Sequence, residues 1–323
     1  MRLTSVQVGP LATATATKIS LIQTPSGANA LVIDGAASTG YSATNIANTQ
    51  VGTGGGSFTL NGSLSVGSPA VAQVGGKSVV ILSSGNDSGI TFTVNGTQAV
   101  GSGFGGVAFA SEVVTGTNTS RTATKTLFLT VTSITMSAPA AANVSAGTNG
   151  IATLDTARRV LFTSGGSDTT KKVTLTGTDW NNEPITETLS LGASTAQTVY
   201  DYVTITSMTL SAVLSSTLTV GTNGVASSRP IFLDRYALAP TALEVDVTAT
   251  VNYTVQQSLN DPNSVGYTNV NWVNHPDSGF VANTVTAQSN YAYAPTVTRI
   301  TLNSETAATS WVVYSVLQAS GIF

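Results

Sequence analysis

Cysteine is absent from the chain, so no disulfide and no thiolate metal site can form, and cysteine usage carries no sign of redox compartment. Charge is scarce too: Asp, Glu, Lys and Arg make up 8% of residues, with a net charge of -3 at pH 7. A chain this neutral has no electrostatic footprint for nucleic acid or an anionic membrane, and neither is an expected direct partner. There is one histidine, which excludes a His-rich metal site and leaves a single candidate base for any nucleophile-His-acid triad. The opening segment "MRLTSVQVGPLATATATKIS" has no continuous apolar core, and no apolar run is long enough to span a bilayer. The expectation is a soluble protein without a removable secretory signal. Helix signals are nearly missing as well, because few windows place Leu, Glu, Lys and Ala at helical spacing.

What is present is a 323-residue chain that is 41% hydrophobic, its remainder dominated by Gly, Ser, Thr and Asn rather than by the charged residues and Pro of disordered chains. That length supports two to four domains with real cores. Val, Ile, Thr, Tyr and Phe alternate with polar residues throughout, which predicts an all-β fold. In "EVDVTATVNYTVQ", Val245, Val247, Ala249, Val251, Tyr253 and Val255 share one face, the pattern of a strand with one buried side. "SWVVYSVLQ" (310–318) is too apolar for an open edge and is expected to be central or covered.

Internal repetition is the strongest signal. "KSVVILSSGNDSGITFTVNGT" (77–97) aligns without gaps on "RRVLFTSGGSDTTKKVTLTGT" (158–178), sharing Ser83/Ser164, Asp87/Asp168 and Gly96/Gly177 among others. "VTSITMSA" (131–138) then aligns with "ITSMTLSA" (205–212), and "VSAGTNGIA" (144–152) with "LTVGTNGVA" (218–226). The offset falls from 81 to 74, so the first copy carries extra residues, assigned to the "GSGFGG" loop. Each copy holds short strands separated by turn signals, the pattern of a small sandwich. The expected architecture is a set of tandem Ig-like or jelly-roll-like β-sandwich modules: an N-terminal hairpin or arm region over 1–75, repeats over 76–151 and 152–226, and an aromatic-rich C-terminal β domain over 227–323. The Asn149-Gly150 and Asn223-Gly224 pairs have the residue types of tight hairpin turns.

Candidate chemistry is sparse. Gly101, Gly103 and Gly106 satisfy a dinucleotide-binding spacing, but strand-like residues follow where the pattern needs a helix N-terminus. His275 and Asp277 lie two apart in a Pro-containing loop, which is ordinary turn chemistry, and no serine stands in a nucleophile elbow. Asp87 and Asp168 follow Ser/Gly strings where Asp caps turns. Together with Glu183 and Glu187 they leave a glycosidase-like carboxylate pair open as an alternative. "NDSG" lacks the alternating ligands of a calcium loop. "DPNSVGYTNVNWVNHPDSG" (261–279) is a long loop of Asn, Tyr and Trp, and Tyr267, Trp272, His275 and Phe280 are the candidate interaction residues. The alternative for Trp272 is that it covers the end of a sandwich. Asn-x-Ser/Thr sequons are expected by chance at this composition and do not establish secretion.

The words "RRVLFTSGGSDTTKKVTLTGTD", "ATVNYTVQQSLNDP" and "YAPTVTRITLNSETAATSWVVYSVLQASG", in that order with Trp272 between the last two, make residues 150–323 resemble structural virion proteins of tailed bacteriophages. The resemblance implies a virion component, made in the bacterial cytoplasm and assembled on a particle without a cofactor. The expected function is non-enzymatic: a capsid decoration or cement protein on the outer shell, with no direct contact to membrane or nucleic acid. Its expected partners are the major capsid protein and further copies of itself. A neck or tail accessory protein is the alternative, and a carbohydrate-active enzyme the third reading.

Overall fold

The structure, a computed structural model, describes residues 2–9, 11, 14–52, 55–65, 71–99, 107–234, 238–305 and 310–319. The chain begins as a strap of short strands: β1 (Arg2–Val8), β2 (Ser20–Gln23), β3 (Ser38–Thr39) and β4 (Ser42–Val51). It continues through β5 (Val71–Lys77), β6 (Val79–Ser83), β7 (Thr91–Ala99), β8 (Val107–Thr115), β9 (Arg121–Ala123), β10 (Phe128–Met136) and β11 (Asn143–Thr148). Next come β12 (Ile151–Ser164), β13 (Lys172–Thr178), β14 (Pro184–Ser190), β15 (Thr195–Gln197), β16 (Tyr202–Leu210) and β17 (Leu218–Ser227). The last block holds β18 (Ile231–Phe232), β19 (Leu238–Thr248), β20 (Val251–Ser258), the one-turn helix α1 (Pro262–Val265), β21 (Val273–Asn274), β22 (Ala287–Tyr291), β23 (Val297–Glu305) and β24 (Trp311–Ala319). The fold is all-β.

These strands form three sandwiches with one connectivity. In the first, the sheets run β5-β10-β7-β8 and β4-β11-β6-β9. The second repeats this with the two halves of β12 in place of β5 and β6: one sheet is β12-β16-β13-β14, the other β2-β17-β12-β15. In the third, the sheets are β1-β24-β19-β22 and β18-β23-β20-β21. Counting the strap strand as the first of eight, every sandwich has one sheet in the order first-eighth-third-sixth and the other in the order second-seventh-fourth-fifth. That is the jelly-roll arrangement. The C-terminal block, which shows no sequence repeat, is therefore a third copy of the same plan.

The described residues of 1–75 do not gather into one region. The strap lends β1 to the third sandwich, β2 to the second and β4 to the first, each lying antiparallel to that sandwich's last strand. The chain thus climbs through all three modules before building them in the reverse order. Each sandwich has its own core, around Phe92 and Phe128 in the first, Phe162 and Tyr202 in the second, and Tyr253, Tyr314 and Phe280 in the third. A small seam of Ala30, Val32, Val80 and Ala123 joins the first to the second. Full burial of a Val, Leu or Phe stabilises by about 1.5–3 kcal/mol, so the three cores carry most of the favourable free energy.

The residues shared by the two sequence copies hold corners of this plan. Asp87 accepts from Ser83 Oγ and from Ala141 N (2.6 Å), and Asp168 from Ser164 Oγ (2.7 Å) and Ser215 N (2.9 Å). Each carboxylate latches one end of the sandwich by tying two loops together, rather than capping its own turn. At Gly96 and Gly177 an added Cβ would lie 1.9 and 2.0 Å from the carbonyl oxygens of Thr130 and Thr204, beneath the rings of Phe128 and Tyr202. Glu187 accepts from Val199 N (2.8 Å) and Tyr200 N (3.2 Å), as Glu112 does from Lys125 N and Thr126 N (2.8 and 2.7 Å). Glu187 is thereby occupied by the backbone.

Two expectations are corrected. The Gly-Thr-Asn-Gly words are not hairpin turns: Asn149-Gly150 is the crossing from β11 in the first sandwich to β12 in the second, and Asn223-Gly224 lies within β17, in the bulge between Thr222 and Ala226 where its register with β12 shifts, just before Ala226 and Ser227 also pair with β23. Asn149 is buried and pins the strap, accepting from Ile33 N (2.7 Å) and donating to Leu31 O (3.0 Å). Gly224 has φ +86°, the backbone this bulge requires. The alternating segment 244–256 is two strands, not one. Ala249, at φ +66°, breaks it, sending β19 and β20 into opposite sheets of the third sandwich. β24, as expected, is central, between β1 and β19.

Candidate functional site

The corner between the fourth and fifth strands of each sandwich is where the three copies differ. In the first, β7 and β8 extend to an Ala99–Val107 pair; the "GSGFGG" segment between them in the sequence lies outside the described residues. In the second the corner is a tight turn, organised by Asp179, whose Oδ1 accepts from Asn181 N (2.7 Å) and Glu183 N (3.0 Å). Trp180 projects from it. In the third it is a long loop built on side-chain caps: Asp261 Oδ1 accepts from Asn263 N at the start of α1, and Asn260 Oδ1 from Asn271 N, both at 3.0 Å. This loop presents Tyr267 and Trp272.

The second and third corners meet over a cleft of about 240 Å³. The Trp180 and Tyr267 rings meet edge to face with centroids 4.9 Å apart, and Trp272 lies 6.1 Å beyond Tyr267. The Arg299 guanidinium, from β23, stacks 4.1 Å from the Trp272 ring centroid, a cation–π contact. Arg299 is held in place by Gln256 Oε1, which accepts from its Nε (3.0 Å) and Nη2 (2.9 Å).

Asp201, just ahead of β16, sits at the floor between two guanidiniums. Its Oδ2 accepts from Ser227 Oγ at 2.7 Å and lies 3.9 Å from Arg299 Nη1. Its Oδ1 faces Arg159 Nε as an ion pair at 3.7 Å, beyond hydrogen-bond range, and neither of those two shielded atoms has a hydrogen-bond partner among the described residues. Burial raises the Asp201 carboxyl above the ordinary carboxylate value, against the opposing pull of Arg299, the Ser227 hydroxyl and Arg159. Burial likewise lowers the Arg299 guanidinium, with Asp201 opposing it. The Tyr267 phenol is raised, chiefly by burial.

Of the four loop residues named from sequence, the structure brings Tyr267 and Trp272 together on the cleft. His275 and Phe280 are elsewhere, 3% and 1% exposed, packed inside the third sandwich with ring centroids 5.1 Å apart. Asp277 accepts from Gly279 N (2.9 Å), so it is a turn residue there. Little in the local sequence pattern points to Trp180, Arg159, Asp201 and Arg299. The one available sign was the adjacent pair Arg158-Arg159 inside a strand of a charge-poor chain; Arg158 is absorbed by a bidentate contact with Asp155 (2.8 Å twice). Among the described residues no group of three or more His, Asp or Glu is placed to hold a metal ion, and no helix is long and apolar enough to cross a membrane.

No family model matches the chain, and no curated protein matches it. Among solved structures it aligns with a chain described under "The Triple Jelly Roll Fold and Turret Assembly in an Archaeal Virus", at 10% identity over 93% of this chain and 90% of that one, with a TM-score of 0.18. So loose a superposition carries no argument. The jelly-roll description rests on this chain's own strand pairing.

Proposed function

We propose that this is a non-enzymatic structural protein of a tailed-bacteriophage virion, seated on the outer shell as a decoration or cement protein in contact with the major capsid protein and with further copies of itself. Two lines support the reading. One is the sequence resemblance over 150–323. The other is that the residues repeated between copies, Ser83/Ser164, Asp87/Asp168 and Gly96/Gly177, serve the fold, which leaves function to the places where the copies diverge.

The observation that carries the attachment is β8. It ends its sheet, and its outward side shows Val107, Phe109 and Val113 at 62%, 71% and 56% exposure. In the equivalent β14 the positions of Phe109 and Val113 hold Pro184 and Thr188, the guarded and polar edge of a strand that meets solvent. An unguarded apolar edge of this kind is suited to a partner protein. Small contacts of this kind add up when the particle's symmetry repeats them.

The test is to mix purified protein with shells that lack it and sediment them. Stoichiometric binding is expected, with a clear loss for Phe109→Asp; absence of binding by the unaltered protein overturns the assignment. Labelling seen at one vertex rather than across the shell would move the protein to the neck or tail.

A further inference from the structure

We propose that the cleft between the second and third sandwiches is a binding site for a neutral sugar, taking one pyranose ring of a glycan. The inference is independent of where on a particle the protein sits. Its basis is what the cleft leaves unmade. Arg159 Nε–H is a donor and Asp201 Oδ1 an acceptor, both shielded from solvent and facing each other as an ion pair at 3.7 Å, and neither makes a hydrogen bond among the described residues. Buried polar atoms of a folded protein are nearly always paired, so two such atoms lining one cleft call for a group that accepts from one and donates to the other. A hydroxyl does both from a single oxygen.

The walls narrow the choice to a sugar. Trp180, Tyr267 and Trp272 give flat apolar area on which the C–H face of a pyranose can rest, with polar groups confined to one side. The charges are balanced against an ionic ligand. Arg159 and Arg299 face the Asp201 carboxylate, and the Asp179 carboxylate adds a second negative charge felt at the Tyr267 phenol. A carboxylated or phosphorylated ligand would meet Asp201, and a cation would meet two guanidiniums. At about 240 Å³ the cleft has room for a single ring, with the rest of a glycan leaving past the exposed Thr268. Arg299, fixed by Gln256 and stacked on Trp272, keeps the aromatic wall in place before any ligand arrives.

The chain has three tryptophans, and two of them line this cleft while Trp311 lies in β24. Their indole N–H signals in proton–nitrogen correlation spectra of the full chain make a test with an internal control. The probes are the methyl pyranosides of glucose, galactose, mannose and N-acetylglucosamine, with signals assigned through Trp180→Phe and Trp272→Phe. Saturable shifts of the Trp180 and Trp272 signals by at least one probe, with Trp311 unmoved, are expected. Arg159→Lys keeps the charge but loses the Nε–H and is expected to weaken that probe roughly tenfold. If no probe moves the two signals, or if Trp311 moves equally, the site is a packing seam with bridging water and the proposal fails. Undiminished binding by Arg159→Lys also overturns it, and if that variant does not fold, the titration of the unaltered chain decides. Shell binding is measured separately, so either proposal can fail without the other.

Discussion

Ser164 Oγ donates to Asp168 Oδ2 at 2.7 Å, and that bond, with the one from Ser215 N to Asp168 Oδ1 at 2.9 Å, closes an end of the second sandwich. The same latch recurs at Ser83, Asp87 and Ala141 in the first. Replacing Asp168 by Ala removes an ionised acceptor and strands the Ser215 N–H, so the expected cost is about 2–4 kcal/mol, read as a shift of the urea midpoint. Burial pushes the Asp168 carboxyl up, but the hydrogen bonds from Ser164 and Ser215 and the charge of Lys171 outweigh it, leaving the carboxyl below its ordinary 3.8. A folded value below the unfolded one means the stabilisation is complete above about pH 4 and is lost as the pH falls through the folded value. The gap between the unaltered protein and Asp168→Ala should therefore narrow in acid. An equal gap at pH 7 and pH 3 would remove the carboxylate from the account.

Gly177 lies where Tyr202 crosses β13, and a Cβ there would stand 2.0 Å from Thr204 O and 2.8 Å from the Tyr202 ring. One contact is with backbone in the neighbouring strand, so the sheet itself must shift. Gly177→Ala is expected to cost about 2–4 kcal/mol, well above an ordinary exposed Gly-to-Ala change in a strand. Gly89, with open space around it, is the control: Gly89→Ala should leave thermal unfolding nearly unchanged.

His275 gives the third sandwich a built-in pH response. Its Nδ1 accepts from Asp277 N at 3.1 Å, so the neutral ring carries its proton on Nε2, and protonation would set one N–H against another. Burial against Phe280 and Tyr291 lowers the imidazole below its ordinary 6.5, with Asp277 partly opposing. With the folded value depressed, the unfolded chain binds the proton first, so stability is lost as the pH drops below about 6.5. His275→Phe should flatten the midpoint between about pH 5 and 7. Because this is the only histidine, a slope that persists in the variant would place the titrating group elsewhere.

Much of the fold is written locally. Alternation marks the strands, and Asp168 and Gly177 betray the repeat because special geometry at their corners restricts the residue. The third copy leaves no such trace, since its corner was rebuilt as a capped loop around Asp261 and Gly266 and the shared words are gone. For the cleft, local pattern reaches only Tyr267 and Trp272, which lie in one loop. Arg159, Asp201 and Arg299 come from β12, the approach to β16 and β23, and only the stacking of two sandwiches brings them together. The strap is the clearest case of information held in topology: nothing in "RLTSVQV" indicates that its partner is the last strand of the chain.

That partnership yields the most direct test of the architecture. β1 pairs along its whole length with β24, from Arg2 opposite Gln318 to Val8 opposite Val312, and sends Val6 and Val8 into the third core. Deleting residues 1–9 removes two buried valines, at about 1.5–3 kcal/mol each, together with a run of ladder hydrogen bonds. It also converts β24 from a central strand to an edge carrying Val312, Tyr314 and Val316, an apolar row that the sheet now covers. The expected result is a destabilised third sandwich with near-native first and second sandwiches, and concentration-dependent aggregation relieved by adding a synthetic peptide of residues 1–9. Hydrogen exchange resolves the three modules: fast exchange confined to β19, β22 and β24 supports a strap that belongs to the last sandwich. Uniform loss across the chain would instead mean that the three sandwiches unfold as one unit, and no change at all would mean that β1 adds nothing to the sheet it joins.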